Sequence, residues 1–329
     1  MASRVPVGIA GTGSYVPERV VPNSYFEDIV DTSDEWIVQR TGIRERRFVA
    51  DDQATLDLAH HASVRALEDA QIDPADLDLI ILGTLTPDFL LPATSCQLQD
   101  KLGAKKSGAF DCNAACTGFV TAINTGEAFI AAGRARRVLA VGAEALTRFV
   151  DFTDRSACIL FGDAAGAVVL TPHEECRQGE ILETTLGADG SGFKHIHMEA
   201  GGSRNPATAE TVERRQHFIR VHGRDVFRFA VARMGSLIED VVKRYGENEI
   251  GLIVPHQVNR RIIDAALDRI GMTDEKVVVN IQHYANTSSA TVPLALDEAR
   301  RQDRIPKGKV VLLVAFGAGL TWGSTVIRW

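Results

Sequence analysis

Three side chains in this sequence have the types and surroundings that covalent acyl chemistry needs: Cys116, His256 and Asn286. Cys116 lies in D-C-N-A-A-C-T-G-F (111–119), directly before a segment (117–133) that is apolar nearly all round. That pattern predicts a buried helix with Cys116 at its N-terminus. There a cysteine meets the positive end of the helix dipole and unpaired backbone N–H groups. Both favour the thiolate, which is the nucleophilic form. Its neighbours Ala115, Thr117 and Gly118 are small and leave room for a substrate carbonyl. Taken alone, such a cysteine is as readily a small core residue. His256 follows a proline at the end of an apolar run, in V-P-H-Q-V-N, and strand ends of open α/β sheets are where ligands bind. Asn286, in Y-A-N-T-S-S-A, reads equally as a helix N-cap.

What joins the three is an internal duplication. Short apolar runs at 7–10, 79–82, 138–141, 167–170, 252–254, 277–281, 310–316 and 324–327 read as buried strands. Helical patterns at 55–70, 225–245, 260–270 and 294–302 lie between them, which argues for an α/β fold with mainly parallel sheets. The motif order in the first half returns in the second, with a division near residue 172. Cys116 and Asn286 then fall in matching strand-to-helix turns, and His256 follows the strand that matches 80–82.

Composition excludes several classes. At roughly 150 residues per domain, 329 residues suit two domains or one large duplicated unit. With 45% apolar and 24% charged residues the chain is ordinary globular protein. A net charge of −7 argues against nucleic acid as a partner. Five cysteines do not make a secreted disulfide framework, and no run is long enough to span a bilayer, so a cytoplasmic protein is expected. Cys96, Cys112, Cys158 and Cys176 read as structural, with no metal-ligand spacing. Gly11-Thr12-Gly13 reads as a strand-end turn, the charge run 44–47 as a solvated face, and His195-x-His197 as two imidazoles without a third ligand.

Six segments together resemble the β-ketoacyl-acyl-carrier-protein synthase III family, the initiating condensing enzymes of bacterial fatty acid synthesis. They are T-S-D-E-W-I-V-Q-R-T-G-I-R-E-R-R (32–47), D-C-N-A-A-C-T-G-F (111–119), D-R-S-A-C-I-L-F-G-D-A-A-G-A (154–167), V-P-H-Q-V-N-R-R-I-I (254–263), A-N-T-S-S-A-T-V-P-L-A-L (285–296) and A-F-G-A-G-L-T-W-G (315–323). The resemblance implies a thiolase fold: duplicated α/β halves, residues 1–172 and 173–329, in a five-layer αβαβα arrangement and a homodimer. It implies that Cys116 takes an acyl group from acyl-CoA, and that His256 and Asn286 serve the decarboxylation of malonyl-acyl carrier protein. Thr32, Trp36, Arg40 and Arg155 match CoA-binding positions, and Leu91 and Phe161 match the border of the acyl pocket. Arg228 and Arg261 match the surface that receives the acidic carrier protein. No cofactor is implied, since CoA thioesters are substrates. The chain departs from the family pattern in Gly317-Ala318-Gly319 and in D-F-L-L-P (88–92), where an aromatic residue is common at the Leu91 position.

Acyl transfer through Cys116 would need preorganised donors for the tetrahedral oxyanion, and the backbone N–H groups of Cys116 and Ala318 are the candidates. A neutral His256 Nε2–H and the Asn286 amide suit the charge that builds on the malonyl thioester oxygen. Related enzymes of secondary metabolism use the same three residues. Two other classes compete. Papain-like proteases also use Cys–His–Asn, and 140 positions separate Cys116 from His256, but the C-G-S-C-W signature is missing. A non-catalytic relative would have no reason to carry all three residues.

Overall fold

A computed structural model describes residues 4–329. The first sheet is built from β1 (Val7–Tyr15), β2 (Leu79–Gly83), β3 (Gly108–Cys112), β4 (Val138–Glu144) and β5 (Ala164–Pro172), in the order β1-β5-β4-β2-β3. The second uses β6 (Glu180–Ala188), β7 (Ile250–Pro255), β8 (Val310–Gly317) and β9 (Thr321–Arg328), in the order β7-β8-β9-β6. β2 and β4 run parallel in the first sheet and β7 and β8 in the second, and in each the two following pairs are antiparallel. These four strands have the same order and directions in both sheets, as the duplicated motifs predict, and β3 has no counterpart in the second.

Five layers follow from which faces are apolar. The central strands of both sheets, β2, β4, β5 and β8, are buried on both faces, because helices cover each side. Helix α1 (Thr55–Ala70) packs outside the first sheet, and α3 (Gly223–Tyr245) with α4 (Arg260–Ile270) outside the second. Between the sheets lie α2 (Gly118–Ala131) and α5 (Thr291–Arg301), whose Phe119, Val120, Ile123, Val292 and Leu296 share one core with residues of both sheets.

Three local expectations are corrected. Gly11-Thr12-Gly13 is no turn but the middle of β1, and a Cβ at Gly11 or Gly13 would lie 2.5 or 2.4 Å from the α1 backbone. The run 277–281 is not a strand. Only Val277 bridges Ile253, and the Gln257 side chain then replaces the ladder, donating to the Val278 carbonyl (2.9 Å) and accepting from the Asn280 N–H (3.1 Å). Within 44–47, Arg46 is wholly buried, not solvated. Its guanidinium donates to the Ile159 carbonyl (2.9 Å) and to Asn23 Oδ1 (2.8 Å) and lies over the Phe26 ring. It thereby fixes the segment that carries Phe161.

Candidate active site

Cys116 sits where the sequence places it, in a single 3₁₀ turn (Ala115–Thr117) that leads into the buried helix α2. The second half repeats this turn at Ser288–Ala290 before α5. In both, an asparagine side chain accepts from the N–H two residues on, Asn113 from Ala115 (3.3 Å) and Asn286 from Ser288 (2.8 Å). In both, the residue that receives this bond has positive φ, 47° at Ala115 and 49° at Ser288. The turns match as expected, but residue for residue the counterpart of Cys116 is Ser289, and that of Asn286 is Asn113.

The end of β8 meets the Cys116 turn. A Cβ at Gly317 would lie 2.8 Å from the Cys116 backbone nitrogen, so only glycine permits this approach. Ala318, next in the chain, brings its N–H to the Cys116 sulfur. Asn286 is held by its main chain: its N–H donates to the Leu160 carbonyl (2.9 Å), and its carbonyl accepts from Gly162 (3.1 Å). Because Asn286 Oδ1 is committed to Ser288, its amide NH₂ is the free donor. His256 is fully buried at the end of β7, with Nδ1 2.6 Å from Thr291 Oγ1 and with Nε2 lacking a partner among the described residues.

These groups converge on one cavity of about 230 Å³, bounded by Cys116, His256, Asn286, Ser288, Gly317 and Ala318. Apart from Asn113 and His197, its remaining wall is apolar, with Leu85, Leu146, Phe161, Ile196, Ile219 and Val221, which suits an acyl chain. Phe161 thus lies where the resemblance puts it. Leu91 lies outside this chain's cavity: it is 86% exposed, on a loop with Phe89 and Leu90 that leads away from β2, and Leu85 borders the cavity.

Enclosure changes the expected charge state of the cysteine. Burial pushes the Cys116 thiol up to about 12, and the Glu144 carboxylate adds to the rise, against the Ser288 hydroxyl and the N–H groups of Cys116 and Ala318. Desolvation thus works against the helix dipole and favours the thiol form of the resting residue. Burial also pushes His256 down to about 3, which keeps its imidazole neutral. Glu144, at the end of β4, is buried among Thr86 Oγ1 (2.7 Å), Ser289 Oγ (2.9 Å), Leu85 N (3.1 Å) and Thr84 Oγ1 (3.1 Å).

Comparison with known proteins agrees with this geometry. Family models described as 3-oxoacyl-[acyl-carrier-protein (ACP)] synthase III, and as its C-terminal part, match residues 110–190 and 243–329. The β-ketoacyl-[acyl-carrier-protein] synthase III of Caldanaerobacter subterraneus subsp. tengcongensis is 50% identical, over 100% of this chain and 99% of its own. The chain belongs to the β-ketoacyl-[acyl-carrier-protein] synthase III family. The same-named protein of Desulfitobacterium hafniense (strain DSM 10664 / DCB-2) is 47% identical over 99% of this chain and 98% of its own. The crystal structure of 3-oxoacyl-[acyl-carrier-protein] synthase III from Aquifex aeolicus VF5 superposes with a TM-score of 0.89 at 43% identity, covering 98% of this chain and 100% of that one. The fold is accordingly the thiolase fold, and the protein is a condensing acyltransferase of fatty acid synthesis.

The other residues matched to the synthase family lie outside the cavity in two groups. Trp36, on the helix Asp34–Thr41, is flanked by the guanidinium carbons of Arg155 (4.1 Å from the ring centroid) and Arg40 (5.8 Å). The buried Thr32 hydroxyl has no partner among the described residues. The resulting aromatic and cationic surface suits a nucleotide. Asn259, the N-cap of α4, donates to the Arg40 carbonyl (3.1 Å) and ties this helix to the one that carries Arg261. The basic rim is weaker than the sequence suggests. Arg228 pairs with Asp225 (2.7 Å), Arg260 with Asp264 and Asp274, and Arg233 lies over Trp322. Arg261 is exposed and makes no ion pair among the described residues. No helix among the described residues is long and apolar enough to cross a membrane. Sequence reasoning missed Ser288, Ser289, Thr291 and Glu144, although the N-T-S-S-A-T run that holds three of them was in view.

Proposed function

We propose that the protein condenses an acyl-CoA primer with malonyl-acyl carrier protein and so starts fatty acid chains. One observation supports this reading: Cys116, His256 and Asn286 line one largely apolar cavity, with the Cys116 and Ala318 N–H groups at the cysteine sulfur. In the first half-reaction the sulfur attacks the thioester carbon, the two N–H groups hold the oxyanion, and CoA leaves. In the second, the malonyl group loses carbon dioxide while the Asn286 amide donates to the thioester oxygen, beside His256. The new carbanion attacks acyl-Cys116 and releases β-ketoacyl-acyl carrier protein. Thr32, Trp36, Arg40 and Arg155 are proposed to hold the CoA nucleotide, and Arg261 with Arg228 to receive the carrier. CoA and the carrier are substrates, and the scheme uses no other cofactor.

A homodimer in the cytoplasm completes the proposal. β3 is an edge strand with unpaired backbone groups, and Phe89, Leu90 and Leu91 form an exposed apolar stretch. Pairing of β3 with its copy would cover both, and would let Leu91 border the partner's acyl pocket. Release of labelled β-ketoacyl product from acyl-CoA and malonyl-acyl carrier protein tests the activity, and sedimentation tests the dimer. No product with any acyl-CoA of a two- to eight-carbon panel would contradict the activity, and a monomer at micromolar concentration would contradict the dimer.

A further inference from the structure

Ser288 brings to the cavity a hydroxyl that neither half-reaction uses. The residue is 1% exposed and borders the cavity, and its Oγ has no partner among the described residues. Buried polar atoms are seldom left so. The main chain of Ser288, by contrast, is fully committed. Its N–H donates to Asn286 Oδ1 (2.8 Å), and its carbonyl accepts from the N–H of Thr291 and from the Thr291 hydroxyl (3.0 Å). These bonds hold Ser288 at a φ of 49°, which is uncommon for any residue but glycine. The matching residue of the first half is Ala115, at 47° and with the same asparagine bond to its N–H (3.3 Å). The turn thus needs no hydroxyl, and alanine adopts its backbone.

What the hydroxyl can serve is set by its neighbours. The turn that carries Ser288 packs against the turn that carries Cys116. Ser288 Oγ makes no hydrogen bond to the resting thiol, yet its hydroxyl favours ionisation of that thiol, against the burial that pushes it up to about 12. The other donors at the sulfur, the N–H groups of Cys116 and Ala318, have a second task, since they hold the oxyanion once the thioester is attacked. The Ser288 hydroxyl has no such second task.

We infer that Ser288 is a catalytic residue whose hydroxyl donates to the Cys116 sulfur as negative charge forms there. The inference rests on the acyl-transfer reading above. No proton leaves Ser288. The bond from the Cys116 sulfur to the thioester carbon forms, the carbon–sulfur bond to CoA breaks, and the thiol proton ends on CoA. When the malonyl-derived carbanion later attacks the acyl group, the bond to Cys116 breaks and its sulfur regains the electron pair, again beside the Ser288 hydroxyl. Decarboxylation falls between these two steps, while the sulfur is acylated and uncharged, so it does not need the hydroxyl.

The test uses Ser288→Ala and Ser288→Gly. Both lack the hydroxyl, and both fit the turn, alanine as Ala115 does and glycine because it has no Cβ. Three rates are compared with wild type: alkylation of Cys116 by iodoacetamide at pH 8, single-turnover acylation by acetyl-CoA, and carbon dioxide release by enzyme first loaded to completion and chased with malonyl-acyl carrier protein. A thiol pKa raised by about one unit costs about tenfold in thiolate, part of which the greater nucleophilicity of that thiolate returns. Both variants should therefore alkylate and acylate about threefold to tenfold more slowly, and should regain the wild-type rate by about pH 9. Carbon dioxide release should stay within about twofold of wild type. Wild-type alkylation in both variants would overturn the inference. So would a loss confined to carbon dioxide release, which would place the hydroxyl on the malonyl group, or a loss in Ser288→Ala that Ser288→Gly does not share, which would trace the effect to the backbone. Wild type that alkylates but does not acylate would count against the function proposed above, and the alkylation rates would still decide the role of Ser288.

Discussion

Ser289 occupies in the second half of the chain the place that Cys116 occupies in the first, yet only Cys116 faces a cavity. The difference lies in what the opposite sheet sends toward each. Strand register makes Gly317 of β8 the counterpart of Glu144 of β4. Gly317 has no side chain and admits the Cys116 backbone, whereas Glu144 fills the equivalent space and binds Ser289 Oγ at 2.9 Å. Duplication thus made two equivalent turns, and one glycine and one glutamate decide which is open.

Glu144 also acts on the open site, since its carboxylate adds to the rise of the Cys116 thiol pKa. Burial pushes the Glu144 carboxyl up as well, so its charge is complete only at the higher pH where the thiol titrates; Glu144→Gln removes it there, and the thiol pKa should fall. The pH midpoint of iodoacetamide alkylation at Cys116 should therefore move down, and the variant should lose about 1–3 kcal/mol of stability from imperfectly paired hydroxyls. An unchanged or higher midpoint would contradict the electrostatic part.

The raised thiol makes a prediction for His256→Ala. A neutral imidazole on the same cavity can accept the thiol proton; without it, acylation depends on the thiolate, whose fraction rises about tenfold per pH unit below the pKa. The variant should be slow at pH 7 and accelerate steeply to pH 9. Wild type, whose imidazole stays neutral down to about 3, should vary little over that range. Stopped-flow release of CoA measures both, and a variant as fast as wild type at pH 7 would remove His256 from the first half-reaction.

Asn286 is expected to matter in the other half-reaction. Asn286→Ala removes the amide donor and should slow malonyl decarboxylation by loaded enzyme about a hundredfold, as loss of one oxyanion donor does. Release of labelled carbon dioxide reports it. A loss under about threefold would show that the amide does not meet the developing charge.

At the basic rim the two arginines should differ. Arg228 shares its charge with Asp225, while Arg261 does not share its own. Arg261→Glu should therefore raise the KM for malonyl-acyl carrier protein more than Arg228→Glu, and should weaken its salt dependence more. The reverse order, in steady-state assays at two ionic strengths, would place the carrier nearer α3.

Much of the fold was legible because periodicity records which faces are buried. Thr55–Ala70 and Arg260–Ile270 are helical over the limits that their apolar spacing marks. The catalytic turn was legible from small residues before an apolar helix. Other features depend on contacts between distant segments, which no local pattern encodes. Gln257 takes over the ladder after Val278, α1 demands glycine at 11 and 13, and Arg46 enters the core through partners at 23 and 159. The thiol state of Cys116 follows from enclosure by both sheets, and the pairing of Glu144 with Ser289 from the register between halves.

The most direct test of the central claim is intact-protein mass spectrometry of wild type, Cys116→Ala and Cys112→Ala after incubation with acetyl-CoA, followed by malonyl-acyl carrier protein. Cys112 is the informative control. It is half-buried, with its thiol also pushed up to about 12 by desolvation, but it bounds no part of the cavity. Wild type and Cys112→Ala should gain one acetyl group and lose it again when the malonyl carrier is added, while Cys116→Ala gains none. An acetyl group retained on Cys116→Ala, or one on wild type that the malonyl carrier does not discharge, would contradict the account.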